Sequence, residues 1–88
     1  MKVRFRSSFA RDLRKIRERA VLKAVKQVIE QLEAAEQLGD LGDVRKLSAR
    51  GAYYRIRVGD YRLGLVMEDD GVECIRCLHR RDIYKRFP

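Results

Sequence analysis

Polar and apolar residues alternate in "KVRFR" (residues 2–6), the two-residue period of a strand with Val3 and Phe5 on its buried side. The period then lengthens. Phe9, Leu13, Ile16 and Ala20 recur three or four apart, the stripe of a first helix that Ser7 or Ser8 can cap. A second helix is predicted from about Ala20 to Leu38. Val21, Val25, Val28, Leu32 and Ala35 form its stripe, Leu22 and Ile29 widen it, and Gly39 stops it at the position after the cap. "GDLGDVRKLSARG" (residues 39–51) keeps neither period and reads as an irregular connection. Three strands follow, at about residues 53–58, 61–68 and 72–79, joined by the hairpin signals "GD" and "DDG". "RRDIYKRF" (residues 80–87) reads as a short C-terminal turn or helix.

The order strand, helix, helix, strand, strand, strand implies an α+β fold. A three-stranded antiparallel meander and the N-terminal strand make one sheet, and the two-helix hairpin covers one of its faces. With 88 residues, no internal repeat, no low-complexity tract and a single proline at the last position, residues 1–88 read as one compact domain. The basic residues on the outer helix faces, Arg11, Arg14, Lys15, Lys23 and Lys26, read as a solvated surface. The uncovered face of the sheet is left for function to explain.

The hairpin "YYRIRVGDYRLGLV" (residues 53–66) places its charges on that face. With Gly59 and Asp60 as a two-residue loop, Val58 pairs with Tyr61, Arg57 with Arg62, Ile56 with Leu63 and Arg55 with Gly64. Tyr54, Ile56, Val58, Tyr61, Leu63 and Leu65 then enter the core, and Tyr53, Arg55, Arg57 and Arg62 share the other side. Like charges directly opposite each other destabilise a sheet, so these positions are not explained by stability. A bound anion relieves the repulsion, because the guanidinium fork matches phosphate oxygens and stays charged at any accessible pH. Gly64, lacking a side chain, is expected to leave an opening beside Arg55. The plainer reading is a solubilising face with Asp60, Glu73 or Asp82 as counterions.

Charge favours the anion. Twenty-one Lys and Arg, fifteen of them arginine, stand against 13 Asp and Glu, a net charge of +8. Nucleic acid leads the candidate partners, ahead of an acidic protein and an anionic membrane surface. No apolar run approaches the roughly 18 residues of a membrane span, and no basic stretch precedes a short apolar one, so a cytoplasmic protein without a membrane partner is expected. Cys74 and Cys77 form a lone CxxC. Zinc needs about four ligands, whereas this chain adds only His79, and the motif lies in a strand pattern. Two buried, reduced thiols are expected, with no metal or cofactor. His79, the one side chain titrating near neutrality, and Tyr84, able to donate a proton or stack on a base, follow the last strand and bring acid–base candidates beside the arginines.

"YYRIRVGDYRLGLV", a further strand and then "HRRDIYKRF" (residues 79–87) resemble the RelE/ParE superfamily of toxins from toxin–antitoxin systems, and the likeness spans nearly the whole chain. The resemblance implies the RelE-like fold. It also implies one of two activities: RelE-like members are ribosome-dependent endoribonucleases that cut messenger RNA in the A site, and ParE-like members poison DNA gyrase. The RelE branch has a basic pair on a strand, an arginine at the start of the next, an arginine after the last and a tyrosine near the C-terminus. Arg55 and Arg57, Arg62, Arg80 and Tyr84 stand at those positions. ParE-like chains generally lack the tyrosine, so the expectation is a metal-independent ribonuclease. In that reaction the message's 2′-hydroxyl attacks the adjacent phosphate. Arg57 and Arg62 would hold the phosphate with Arg55 beside them, Arg80 would serve the leaving group and Tyr84 would orient the nucleotide. Some relatives carry lysines where this chain has Arg55 and Arg57, which leaves the general base open between His79 and positioning by the ribosome. The resemblance further implies an acidic cognate antitoxin, with operator DNA bound only through the antitoxin complex. A gyrase inhibitor and a non-catalytic RNA- or ribosome-binding module are the alternatives.

Overall fold

The structure, a computed structural model, describes residues 1–47 and 51–88. Its elements are β1 (Lys2–Phe5), α1 (Ser7–Lys15), α2 (Arg19–Ala34), a 3-10 turn (Leu38–Asp40), β2 (Val44–Lys46), β3 (Tyr53–Val58), β4 (Tyr61–Glu68), β5 (Gly71–His79) and α3 (Arg80–Arg86). The five strands form one sheet in the order β1-β5-β4-β3-β2. β1 runs parallel to β5 and every other pair is antiparallel. This is the expected α+β arrangement with one strand added. Among the described residues no helix is long and apolar enough to cross a membrane.

α1 and α2 cover one face of the sheet. Phe9, Val25 and Leu32 from the helices meet Ile56, Leu63, Leu65, Val72, Cys74 and Cys77 from the strands in the main core. The other face carries a smaller apolar cluster of Ile75, Leu78, Ile83 and Phe87, which seats α3. A β-bulge makes both faces apolar along β5. Leu65 pairs with Cys74 but Gly64 with Arg76, so Ile75 is the extra residue. Cys74 and Cys77 therefore both join the helix-side core although they are three apart, and Ile75 and Leu78 join the opposite cluster.

Asp12 of α1 is the buried charge that fastens this arrangement. Its carboxylate accepts from Arg76 Nε at 2.8 Å, Arg76 Nη2 at 3.0 Å and the Cys77 backbone N–H at 2.9 Å. The hydrogen bond to Asp12 raises the Arg76 pKa above its ordinary value, against the burial that lowers it. α1 is held to β5 a second time by Ser8, whose hydroxyl donates to the Ile75 carbonyl at 2.6 Å.

That bond corrects the expected cap. Neither serine caps α1: its N-cap is Arg6, without a side-chain hydrogen bond, because Ser8 already lies inside the helix and bonds to the sheet. Phe5 is 50 % exposed rather than buried, since it ends an edge strand, where it stacks on the ring of Phe9 at 5.7 Å. Ala20 is exposed in the first turn of α2 and does not extend the α1 stripe, because Ile16 is already extended at φ −84°, ψ 121°. α2 ends at Ala34, not near Leu38, so Gly39 does not terminate it. The 3-10 turn that follows folds Leu38 into the core and is held by Asp40, whose carboxylate accepts from the N–H groups of Glu36 and Gln37 at 3.2 Å each. The segment expected to be irregular contains β2, paired to β3 from Val44↔Ile56 to Lys46↔Tyr54; Ser48, Ala49 and Arg50 of that segment lie outside the described residues.

Replacing Asp12 by Ala removes both guanidinium bonds and leaves a buried N–H unpaired, so a loss of about 3 kcal/mol of stability is expected in urea unfolding. The thiols give a second expectation. Burial pushes Cys74 and Cys77 up to about 12 from the ordinary 9.0. The unfolded chain therefore releases thiol protons that the folded chain keeps, and stability falls as pH rises from about 9 to 12. Thermal unfolding across that window should show the decline, with a shallower slope in Cys77→Ala.

Candidate active site

The β3–β4 register is the one its turn dictates. Gly59, at φ +60°, supplies the left-handed residue of a two-residue loop, and Val58↔Tyr61, Arg57↔Arg62, Ile56↔Leu63 and Arg55↔Gly64 follow. Arg57 and Arg62 thus face each other across the strands, on the side away from α1 and α2. β2 extends the pattern, since Arg45 pairs with Arg55. Four arginines on three strands therefore share one surface.

They line a basin of about 300 Å³ made by Asp43, Val44, Arg45, Arg55, Arg57, Arg62 and Tyr84. An adjoining depression is lined by Asp43, Arg57, Gly59, Asp60, Arg62 and Arg80. Asp43, Arg57 and Arg62 belong to both, and so mark the middle of one continuous trough. Tyr84 and Arg80 come from α3, where their four-residue spacing puts them on one side of the helix. The start of α3 is tied to the β3–β4 turn by the Arg80 N–H, which donates to the Asp60 carbonyl at 2.8 Å.

Each side chain in the trough is held differently. Arg62 Nη1 donates to the carbonyls of Gly59 and Tyr61, both at 2.8 Å, which fixes its guanidinium at the hairpin turn. The guanidinium carbon of Arg55 lies 4.4 Å from the centre of the Tyr84 ring, a cation–π contact. Tyr84 remains 69 % exposed. Among the described residues, none of the ion pairs involves a trough arginine. Glu73, one of the proposed counterions, is engaged with Arg6, while Glu68 holds Arg4 and Asp70 holds Lys2.

Two expectations fail here. His79 does not stand with the arginines. It pairs with Tyr61 across β4 and β5, and the alternation of the strand turns both rings to the helix side. There the His79 ring meets Tyr61 edge-on at 5.6 Å, and its Nδ1 accepts from the Arg81 N–H at 3.3 Å. Burial, reinforced by Glu18, raises the Tyr61 pKa and keeps that hydroxyl protonated. The opening expected at Gly64 is also absent, because the Phe87 ring fills it: a Cβ on Gly64 would stand 2.8 Å from the ring carbons. That glycine seats α3 rather than a ligand.

Neither Asp43 nor Arg45 stands out in the sequence. β2 has only three residues, too few for a period to show, and it forms because β3 offers it an open edge. Asp43 is in the left-handed region at φ +57°, and its carbonyl accepts the Arg57 N–H at 3.1 Å. Asp43 is the acidic residue common to both parts of the trough, and Asp60 lines only the depression beside Arg80.

Residues 3–84 match the family model described as ParE toxin of type II toxin–antitoxin system, parDE. The chain is 39% identical, over the full length of both, to Toxin RelE3 of Methanocaldococcus jannaschii. Its structure superposes on a crystal structure of the RelB–RelE antitoxin–toxin complex from Methanococcus jannaschii with a TM-score of 0.82 at 34% identity, covering 97% of this chain and 99% of the other. An archaeal RelE–RelB complex from Pyrococcus horikoshii OT3 shares the fold with a TM-score of 0.73 at 23% identity, covering 90% and 93%.

Because Arg57 and Arg62 face each other and neither forms an ion pair among the described residues, neutralising one relieves repulsion. Arg57→Gln should raise stability by about 0.5 kcal/mol at low ionic strength. The gain should shrink in high salt, as measured by parallel thermal unfolding.

Proposed function

Because the chain belongs to the RelE/ParE family of toxins of type II toxin–antitoxin systems, on its RelE-like side, we propose that it is a metal-independent endoribonuclease that cuts messenger RNA in the ribosomal A site. The observation that carries the reading is the facing pair Arg57–Arg62, unpaired by any carboxylate among the described residues and adjoined by an exposed tyrosine. A surface of this kind is suited to a phosphate whose charge increases during reaction.

Cleavage proceeds by attack of the 2′-hydroxyl on the adjacent phosphorus. The bond to the 5′-oxygen breaks, leaving a 2′,3′-cyclic phosphate and a free 5′-hydroxyl. Arg57 and Arg62 bind the non-bridging oxygens, and the fixed guanidinium of Arg62 needs little reorganisation as charge builds. Arg80, at one end of the trough, stabilises the charge developing on the leaving 5′-oxygen, which takes its proton from solvent water to become the 5′-hydroxyl. Tyr84, at the other end, offers its open ring to the base of the attacking nucleotide. Arginine does not accept a proton, His79 lies on the other face of the sheet and Asp60 lines only the Arg80 side, so the proton of the 2′-hydroxyl passes to the carboxylate of Asp43, which lines both parts of the trough. The ribosome supplies the orientation that brings the hydroxyl in line.

The same surface suits a protein inhibitor. An acidic segment of a cognate antitoxin would neutralise the trough, and operator DNA would be bound by the antitoxin within the complex. The solved complexes of the RelE relatives with RelB support this partnership.

Primer extension on a defined message in a purified translation system tests the reading, with and without ribosomes. Wild type should cut in the A site only when ribosomes are present. Arg62→Ala should lose about 100-fold or more in rate, Asp43→Asn should lose at least as much as a general base contributes, about 100-fold, and His79→Gln should stay within about threefold of wild type. Intact messages alongside inhibited DNA gyrase would overturn the ribonuclease reading and make the arginines a binding surface.

A further inference from the structure

We propose that Arg45 and Arg55 form a second phosphate site, which takes the phosphate on the 5′ side of the one that is cut. The inference rests on the ribonuclease reading and extends it. It assigns Arg45 as a substrate-binding residue and sets the direction in which the RNA strand lies in the trough.

Register is the first support. The sheet carries two rungs of facing arginines, Arg57↔Arg62 between β3 and β4 and Arg45↔Arg55 between β2 and β3. Arg55 and Arg57 are two residues apart on one face of β3, a separation of about 7 Å, which consecutive phosphates of a single strand can match. Each rung places like charges in adjacent strands, a local cost without a compensating ion pair among the described residues. One phosphate relieves one rung. A second rung calls for a second anion.

The shape of the trough orders the two. Asp43, Arg57 and Arg62 line both the basin and the depression beside it, so their rung is the middle. Arg80 lies beyond it on one side, and Arg45, Arg55 and Tyr84 lie on the other. With the leaving 5′-oxygen at the Arg80 end, the nucleotide that carries the attacking 2′-hydroxyl extends toward Tyr84. Its own 5′-phosphate then reaches the Arg45–Arg55 rung. Arg55 serves two groups in this arrangement, because its guanidinium also rests on the Tyr84 ring. Arg45 is exposed on the last strand of the sheet and is free to turn toward the strand of RNA. A charge that merely guards an edge strand against pairing has no dependence on one particular phosphate, which is what separates the two roles.

The test is a cycle of two changes, read as single-turnover cleavage against toxin concentration on programmed ribosomes. The toxin is wild type or Arg45→Gln, and the message carries either its natural phosphate or a neutral methylphosphonate 5′ to the cut. Arg45→Gln should raise the half-saturating toxin concentration about tenfold on the natural message, as loss of one charge-assisted contact to phosphate. The methylphosphonate should do the same to wild type, and the two together should do no more than either alone. Arg45→Lys should recover part of the loss, and thermal unfolding verifies that each variant is folded. Effects that multiply, or a coupling that appears only for a methylphosphonate 3′ to the cut, would overturn the assignment while wild-type cleavage keeps the ribonuclease reading intact. Failure of wild type to cut the natural message would instead remove that reading and the proposal with it.

Discussion

A two-residue turn leaves no slack. With Gly59 in the left-handed region and Asp60 closing the loop, Val58 must face Tyr61, and every pair behind them follows to Tyr53↔Val66. A slip of one residue would carry Ile56, Val58 and Leu63 to solvent and push guanidinium groups into a core whose buried carboxylate, Asp12, is already engaged by Arg76. Burying an unpaired charge costs several kcal/mol, so the arginine face and the apolar face specify each other. The site is therefore a consequence of the same register that closes the core.

The rest of the molecule adapts to that sheet. The bulge at Ile75 lets β5 present Cys74 and Cys77 to the helices and Ile75 and Leu78 to the opposite side, and Asp12 holds the distorted stretch through Arg76 and the Cys77 N–H. The second apolar patch exists to seat α3. Ile83 and Phe87 point into it, with Phe87 over Gly64, and this orientation turns Arg80 and Tyr84 toward the trough. A short helix without a long core of its own is thus aimed by two side chains and one glycine.

Electrostatics are divided along the sheet. The carboxylates of Glu68, Asp70 and Glu73 are engaged by Arg4, Lys2 and Arg6 at the β1 side, and Asp12 is engaged by Arg76 beneath α1. Among the described residues the arginines of β2, β3 and β4 form no ion pair, although Asp43 and Asp60 line the trough with them. On a chain of net charge +8 this concentrates positive potential on one face, the condition that steers a polyanion to the site over several ångströms of solvent. The sheet tolerates the repulsion because the opposite face is well buried.

Much of this was legible in the residues. The strand boundaries of the meander, the Arg57–Arg62 pairing and the identity of the core side chains come from local rules: alternation, turn chemistry and hydrophobic period act between neighbours in the chain. The same rules failed wherever the deciding partner was remote. Gly39 has the local look of a helix stop, but a buried Leu38 and the Asp40 carboxylate end α2 earlier. Gly64 suggests an opening, but a ring 23 positions away fills it. The position of His79 in the chain suggests a place beside the arginines, yet strand alternation turns it to the other face. β2, with Asp43 and Arg45, gave no local signal at all, because three residues become a strand only when an existing sheet offers them an edge. The sequence by itself determined the sheet's register and its row of charges, since both follow from a two-residue turn. Only the tertiary structure decided which groups gather around that row, because helix seating, edge pairing and side-chain facing depend on contacts between residues far apart in the chain.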